Sequence, residues 1–297
     1  MLLSAIDIGS NAVRLFFSNV FEQDGQLVVE KTALTRVPLR LGEDVFTKNV
    51  VSEEKIRKLC QTMHAFRLLI EVNEPKAWKA CATSAMREAE NREEIIDRVA
   101  REAGVTIHII NGVEEARIVS AVQNLDMMKN HKYSLFIDVG GGSTELSLLS
   151  KNGVVASESF KIGTVRMLNN KVKKSEWDDM KDWLLQYKKH FEEILCVGAG
   201  GNINKIIKLY GKLPEKNLPF NNLEYAIGHL RRFNLRERIE VMGLRHDRAD
   251  VIIPAAEIFY YIMKTMNAPR LLVPKIGLSD GIVSLLYHEI NGRTIKD

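Results

Sequence analysis

Two stretches of the chain carry an acid, a glycine bend and hydroxyl or amide side chains in the same order. "DIGSNAVR" holds Asp7, Gly9, Ser10, Asn11 and Arg14, and "DVGGGSTE" holds Asp138, Gly140, Gly141, Gly142, Ser143, Thr144 and Glu145. A third, "VGAGGNI", sets Gly198, Gly200 and Gly201 ahead of helical spacing. Without a Cβ, a glycine turn lets backbone N–H groups approach an anion. A helix N-terminus adds its dipole and its free donors. Asp7 and Asp138 cannot bind phosphate directly, but they can hold Mg²⁺ or its waters, which then bridge to phosphate oxygens. Ser10, Ser143 and Thr144 can add donors, and Arg14 a permanent charge. Any one of these turns also suits an ordinary hairpin. The recurrence of Asp-X-Gly in the same local pattern, 131 residues apart from Asp7 to Asp138, sets the pair apart from chance.

The elements that must position these residues repeat as well. "SAIDIGSNAVRLFFSNVFEQDGQLVVEKTA" and "YSLFIDVGGGSTELSLLSKNGVVASESF" both read as strand, glycine turn, strand, turn, strand. The third strand of the first copy is expected to run on through "ALTRVPLRL". Helical spacing begins after Ser52, "PKAWKACATSA" is a strand entering a loop, and "NREEIIDRVAREAG" is a helix from Asn91 to Gly104. "VTIHII" is a strand and "GVEEARIVSAVQNLDM" a helix. The second half offers helices in "SEWDDMKDWLLQYKKHFEEI", "NINKIIKLYG", "NLEYAIGHLRRF", "NLRERIEV", "HDRADVIIPAAEIFYYIMKTMN" and "GLSDGIVSLLYHEI", with strands in "LCVGA" and "RLLVPK". "KLPEKNLPFNN" is expected to be an exposed loop. Two copies of one strand-and-helix unit predict a two-lobed α/β protein.

The 297 residues allow two domains of ordinary size or one large one. The net charge of +4 fits a polyanionic partner without specifying one. Cys60, Cys81 and Cys196 are far apart and form no CxxC pair, which argues against a disulfide framework or a zinc site and fits a cytoplasmic setting. No signal segment and no apolar run of membrane-spanning length stands out. A P-loop is absent, and "GAGGNI" lacks the third glycine of a dinucleotide fingerprint.

Taken together, "DIGSNAVRL", "ATSAMREAEN", "GVEEARI", "DVGGGSTEL" and "VGAGGNI", supported by "IGTVRM", "RADVIIPAAEI" and "GLSDGIVSLL", resemble the exopolyphosphatase / guanosine pentaphosphate phosphohydrolase (Ppx/GppA) family. That family belongs to the actin, sugar kinase and heat-shock ATPase fold superfamily. The resemblance implies two ribonuclease H-like lobes, each with a five-stranded sheet, and an active-site cleft between them. The lobes would be 1–124, completed by the C-terminal helix at about 280–297, and 125–279. It implies hydrolysis of a terminal phosphoanhydride in inorganic polyphosphate or guanosine pentaphosphate, assisted by Mg²⁺ or Mn²⁺, with no nucleic-acid or membrane partner and with a homodimer as an allowed assembly. Asp7, Asp138 and Glu145 would serve metal and water. Gly9, Ser10, Asn11, Arg14, Arg87 and Gly140 to Thr144 would bind phosphate, with Ser84 and Asn91 in support. Glu115 matches the catalytic base, with Glu114 as second choice. Departures from the pattern are Ala12, Asn111 and Asn202, none of them an acid. The dipeptide His246-Asp247 has no partner histidine and reads as a surface pair. Lys171, Lys173, Lys174, Arg231, Arg232, Arg245 and Arg248 read as solvated charges. The competing readings are a sugar kinase or ATPase of the same fold, and a non-catalytic sensor of polyphosphate or an alarmone.

Overall fold

The structure, a computed structural model, describes residues 1–120, 131–151, 153–191, 193–274 and 276–292. The chain divides into two compact units, Met1–Asn124 with Leu278–Asp297, and Leu125–Gly277. The part of the expected helix that follows Ser120 lies outside the described residues.

In the first unit, β1 (Leu2–Ile8), β2 (Val13–Gln23) and β3 (Gln26–Val37) form an antiparallel meander. Then come α1 (Leu41–Lys48), α2 (Glu53–Asn73), β4 (Ala77–Ala82), α3 (Ser84–Glu88), α4 (Arg92–Ala103), β5 (Ile107–Ile109) and α5 (Gly112–Ser120). The sheet order is β3-β2-β1-β4-β5, with β4 and β5 parallel to β1.

The second unit opens the same way. β6 (Tyr133–Val139), β7 (Thr144–Ser150) and β8 (Gly153–Phe160) form a meander, followed by α6 (Thr164–Leu168), α7 (Lys174–His190), β9 (Ile194–Ala199) and α8 (Gly201–Tyr210). β10 (Asn217–Pro219), α9 (Phe220–Arg231), α10 (Leu235–Glu240), α11 (His246–Ala249), α12 (Ile252–Met266) and β11 (Arg270–Leu272) complete it. The last helix, α13 (Leu278–Ile290), packs on β1, β2, β3, β4 and α5 of the first unit. It approaches α5 closely at Gly281, where a Cβ would lie 2.1 Å from Ile118 O.

The fold is thus mixed α/β with two sheets. The second sheet has six strands, in the order β10-β11-β9-β6-β7-β8, where five were expected. The extra strand comes from the stretch read as an exposed loop. Leu218 is fully buried in the second unit's core, and that burial draws Asn217–Pro219 alongside β11.

Other differences have local causes. β3 stops at Val37 instead of running through "PLRL", because Pro38 cannot donate to a sheet ladder and Arg40 is left-handed with φ 53°. The following residues form α1, which the sequence pattern did not suggest; the same holds for α3 and α6. The helix expected from His246 to Asn267 is broken between α11 and α12. Pro254 falls in the first turn of α12, where its missing N–H has no intrahelical partner to lose. α7 ends at His190, and Phe191 instead turns its ring onto Tyr133, centroids 4.2 Å apart.

Candidate functional site

The two hairpins close identically. Ile8 pairs with Val13 and Val139 with Thr144, leaving four-residue turns. In both, the first turn residue donates its N–H to the carbonyl of the fourth: Gly9 to Ala12 O at 3.1 Å, Gly140 to Ser143 O at 2.9 Å. A Cβ on Gly9 or Gly140 would press on that same carbonyl, at 3.2 and 3.1 Å, so both positions favour glycine.

Each turn is also held from behind. In the first, Ser10 O accepts from Gly42 N at 2.8 Å and Asn11 O from Arg40 N at 3.0 Å, at the start of α1. In the second, Gly140 O accepts from Thr164 N at 3.0 Å, Gly141 O from Val165 N at 2.8 Å, and Gly142 O from Arg166 Nε at 2.6 Å, at the start of α6. In a trans peptide the carbonyl of one residue and the N–H of the next point opposite ways. The N–H groups of Asn11 and Ala12, and of Gly141, Gly142 and Ser143, therefore face away from α1 and α6. Such a run of outward amides is a concavity suited to an anion. The unexpected helices α1 and α6 are the braces that aim it.

The hydroxyls expected to bind phosphate have other partners. Ser10 Oγ lies 2.8 Å from Ser84 Oγ, Ser143 Oγ donates to Glu145 Oε1 at 2.5 Å, and Thr144 Oγ1 donates to Ile162 O at 2.6 Å. Ser84 is thereby tied to the first turn. Asn91 makes a two-way bond with the Val51 backbone, donating to Val51 O and accepting from Val51 N, both at 3.0 Å.

The acids divide by unit. Asp7, 3% exposed, stands opposite Arg14 in the β1–β2 register, and the two form an ion pair. Asp138, half-buried, stands opposite Glu145, which is 3% exposed, in the β6–β7 register, so two carboxylates share one face there. Glu145 Oε1 accepts a further bond from Ser159 Oγ at 3.0 Å. Asp138 reaches the third glycine turn: a Cβ on Gly200 would come 3.1 Å from Asp138 Oδ1, and Gly200 has φ +104°. Both facts demand glycine there. α8 starts at the next residue.

In the first unit, Asn111 Oδ1 accepts from Glu114 N at 2.8 Å and so caps α5. Glu114 is exposed; Glu115 is buried, with 8% exposure. Arg87 Nη1 donates to Ile110 O at 2.8 Å and lies 3.7 Å from Glu115 Oε2. Burial, opposed by Lys79, pushes the Cys81 thiol up to about 12, with added push from the carboxylates of Asp7, Glu114 and Glu115. Asp7 and Glu115 are therefore within electrostatic reach of one buried thiol next to Asp7 in the sheet.

Within the first unit, then, the structure gathers Asp7, Ser10, Arg14, Arg87 and Glu115 around the C-terminal ends of β1 and β4. Within the second it gathers Asp138 and Gly140 through Glu145. Sequence reasoning missed Arg40, Gly42, Gly163, Arg166 and Ser159. Ser159 was within reach, since it is Glu145's partner in the β7–β8 register. Asp247 proves to be buried, where a surface pair was expected. Of the basic residues read as solvated, all are exposed except the half-buried Arg248. Among the described residues no helix is long and apolar enough to cross a membrane, and no cluster of three or more His, Cys, Asp or Glu could hold a metal ion.

A family model described as the Ppx/GppA phosphatase family matches residues 20–289. The chain belongs to the Ppx/GppA phosphatase family. It is 28% identical to the bifunctional 3-dehydroquinate synthase/phosphatase of Fusobacterium nucleatum, an alignment covering 92% of this chain and 44% of that protein. It is 24% identical to exopolyphosphatase 1 of Mycobacterium leprae, covering 95% and 88%. The chain thus spans less than half of the first relative and most of the second. Among solved structures, an exopolyphosphatase from Cytophaga hutchinsonii shares the fold at a TM-score of 0.82, with 22% identity and full coverage of both chains.

Proposed function

We propose that this member of the Ppx/GppA family hydrolyses the terminal phosphoanhydride of inorganic polyphosphate or guanosine pentaphosphate. The observation that carries the reading is the second hairpin: a triple-glycine turn with its carbonyls tied back and its amides turned outward, directly beside the opposed carboxylates Asp138 and Glu145. Outward amides suit the equatorial oxygens of a transferring phosphoryl group, where charge stabilisation and positioning supply most of the catalysis.

The residues fit a hard divalent cation. Asp138 and Glu145 offer oxygen donors on one face, and Mg²⁺ is ordinarily held by one or two carboxylates with substrate and water completing its shell. Asp7, the third candidate, is engaged by Arg14. Mg²⁺ or Mn²⁺ held by Asp138 and Glu145 would neutralise charge on the phosphate oxygens.

The chain's own groups do the rest. Arg87 holds permanent charge next to Glu115, ready for a phosphate oxygen. Glu115, buried and on the first turn of α5, accepts the proton of the attacking water; Glu114 faces solvent and has no such task. Glu145 holds its orientation through Ser143 and Ser159. The reading assigns each unit a task of its own.

The test measures phosphate release from short polyphosphate, long polyphosphate and guanosine pentaphosphate side by side, with Glu115→Gln as control. Release from at least one, abolished in the variant, is expected. No release from any of the three overturns the reading.

A further inference from the structure

The segment that braces the triple-glycine turn does so with backbone N–H groups at two carbonyls and with a side chain at the third. That side chain is Arg166, on α6, and it is buried, with 8% exposure. Long cationic side chains are rarely taken out of water without a specific task. Its Nε donates to Gly142 O at 2.6 Å, a short charge-assisted bond. Gly163, which precedes α6, lies against the same turn so closely that a Cβ there would come within 2.4 Å of Gly141 O and Gly142 C. The brace and the turn therefore pack backbone to backbone, and Arg166 reaches the one glycine carbonyl of the turn that the α6 backbone does not.

Gly142 O belongs to the peptide unit whose N–H is that of Ser143. Fixing the carbonyl fixes the amide, which points the other way. A cation on the carbonyl oxygen also polarises the whole peptide unit and makes its N–H a better donor, as hydrogen bonds in series strengthen one another. We propose that Arg166 is a positioning residue for substrate phosphate. From behind the turn, its guanidinium orients and polarises the Gly142–Ser143 peptide so that the Ser143 amide donates to a phosphate oxygen on the other side. Arg166 does not touch substrate. The inference rests on the hydrolase reading for its consequence in turnover, but its consequence in binding stands separately.

The test uses the full chain with tripolyphosphate as the probe, followed by titration calorimetry and by phosphate release. Three variants are compared. Arg166→Met keeps the length and removes both charge and donor. Arg166→Lys keeps the charge without the planar fork. Asn169→Ala removes a different bond on the same helix, from Asn169 Nδ2 to Val165 O at 2.8 Å, and leaves the turn's carbonyls untouched. Arg166→Met should weaken tripolyphosphate binding and lower kcat/KM by about tenfold or more, on the scale of one lost charge-assisted bond. Arg166→Lys should recover part of the loss. Asn169→Ala should bind the probe as the unchanged chain does, even at a matching loss of thermal stability.

Equal losses in Arg166→Met and Asn169→Ala would reduce Arg166 to a purely structural role and overturn the proposal. So would unchanged binding in Arg166→Met, or a parent chain that binds no tripolyphosphate. If Arg166→Met does not fold, Arg166→Lys decides: a several-fold loss supports the proposal and full retention overturns it. A parent chain that binds tripolyphosphate but releases no phosphate from any substrate sinks the hydrolase reading alone.

Discussion

Arg14 and Glu145 occupy the same position in two equivalent hairpins, each opposite the aspartate next to the last residue of the neighbouring strand, Asp7 in the first and Asp138 in the second. The turns between them have the same length, the same internal hydrogen bond and the same kind of brace. The charge set opposite the aspartate differs in sign. One hairpin carries a carboxylate neutralised by a guanidinium; the other carries two carboxylates on one face. Two opposed like charges raise each other's affinity for a proton or a cation. The repeat thus sets a carboxylate against a guanidinium in one half and two carboxylates against each other in the other.

That split predicts different responses to metal. Glu145→Gln should raise the Mn²⁺ concentration needed for half-maximal phosphate release by at least about tenfold, the scale on which loss of a supporting group weakens a metal site. Arg14→Gln, whatever it does to turnover, should leave that midpoint within about twofold. A metal titration of the three proteins measures it. Equal shifts would mean that both hairpins hold metal.

Burial separates the two adjacent acids of α5. Glu115 is turned in against Arg87 and Glu114 is turned out to solvent. Glu115→Gln should cut phosphate release by about 10²–10⁴-fold, the usual worth of a positioned base, while tripolyphosphate still binds. Glu114→Gln should stay within about threefold of the unchanged chain. Steady-state kinetics with calorimetric binding decides between them, and the reverse pattern would move the base to Glu114.

Much of this was legible in the sequence. The paired Asp-X-Gly turns, the meanders around them and Gly104 as the end of α4 all follow from local pattern, while Glu115 stands out only through the resemblance of "GVEEARI" to the family motif. What was hidden is how the turns are braced. α6 has only five residues and α1 only eight, so neither shows sustained helical periodicity. Their task lies in backbone donors, which no residue type reports. Arg166 looks like any other cation until its burial is known. The protein partners of the Ser10, Ser143 and Thr144 hydroxyls were not legible, because a hydroxyl suits both an anion and a neighbouring oxygen of the chain. β10 was lost because a three-residue strand rimmed by prolines and lysines resembles a loop.

The brace also makes two glycines behave oppositely. At Gly163 a Cβ would collide with the turn backbone at 2.4 Å; at Gly228, exposed within α9, it would meet nothing within 4 Å. Gly163→Ala should lower stability by about 1–3 kcal/mol, the range for forcing extra volume into a packed site, and should depress activity more than stability loss explains. Gly228→Ala should raise stability by about 0.5–1 kcal/mol and leave activity alone, because alanine suits a helix interior better than glycine. Urea unfolding of both variants tests this, and a tolerated Gly163→Ala would remove the close backbone packing from the account.

The brace of the first turn carries its own pH dependence. α1 is fastened to the start of α2 by Asp44, which accepts from Ser52 N at 3.0 Å and pairs with Lys55 at 3.0 Å; Lys55 Nζ in turn donates to Arg40 O at 2.7 Å, beside the amide that holds Asn11 O. Burial by itself would raise the Asp44 carboxyl, but hydrogen bonds from the Ser52 side chain and backbone and from Lys55 together outweigh it and hold it below the ordinary aspartate value. A carboxyl depressed in the folded state stabilises above its unfolded value, and the contribution disappears as pH falls through the folded one. Asp44→Asn should therefore cost about 1 kcal/mol at pH 7, and the gap between the two proteins should close as pH falls below about 4, where the unfolded carboxyl protonates. Urea midpoints of both proteins across that range measure the gap. A difference that stays constant with pH would show that Asp44 fastens α1 through shape and not through charge.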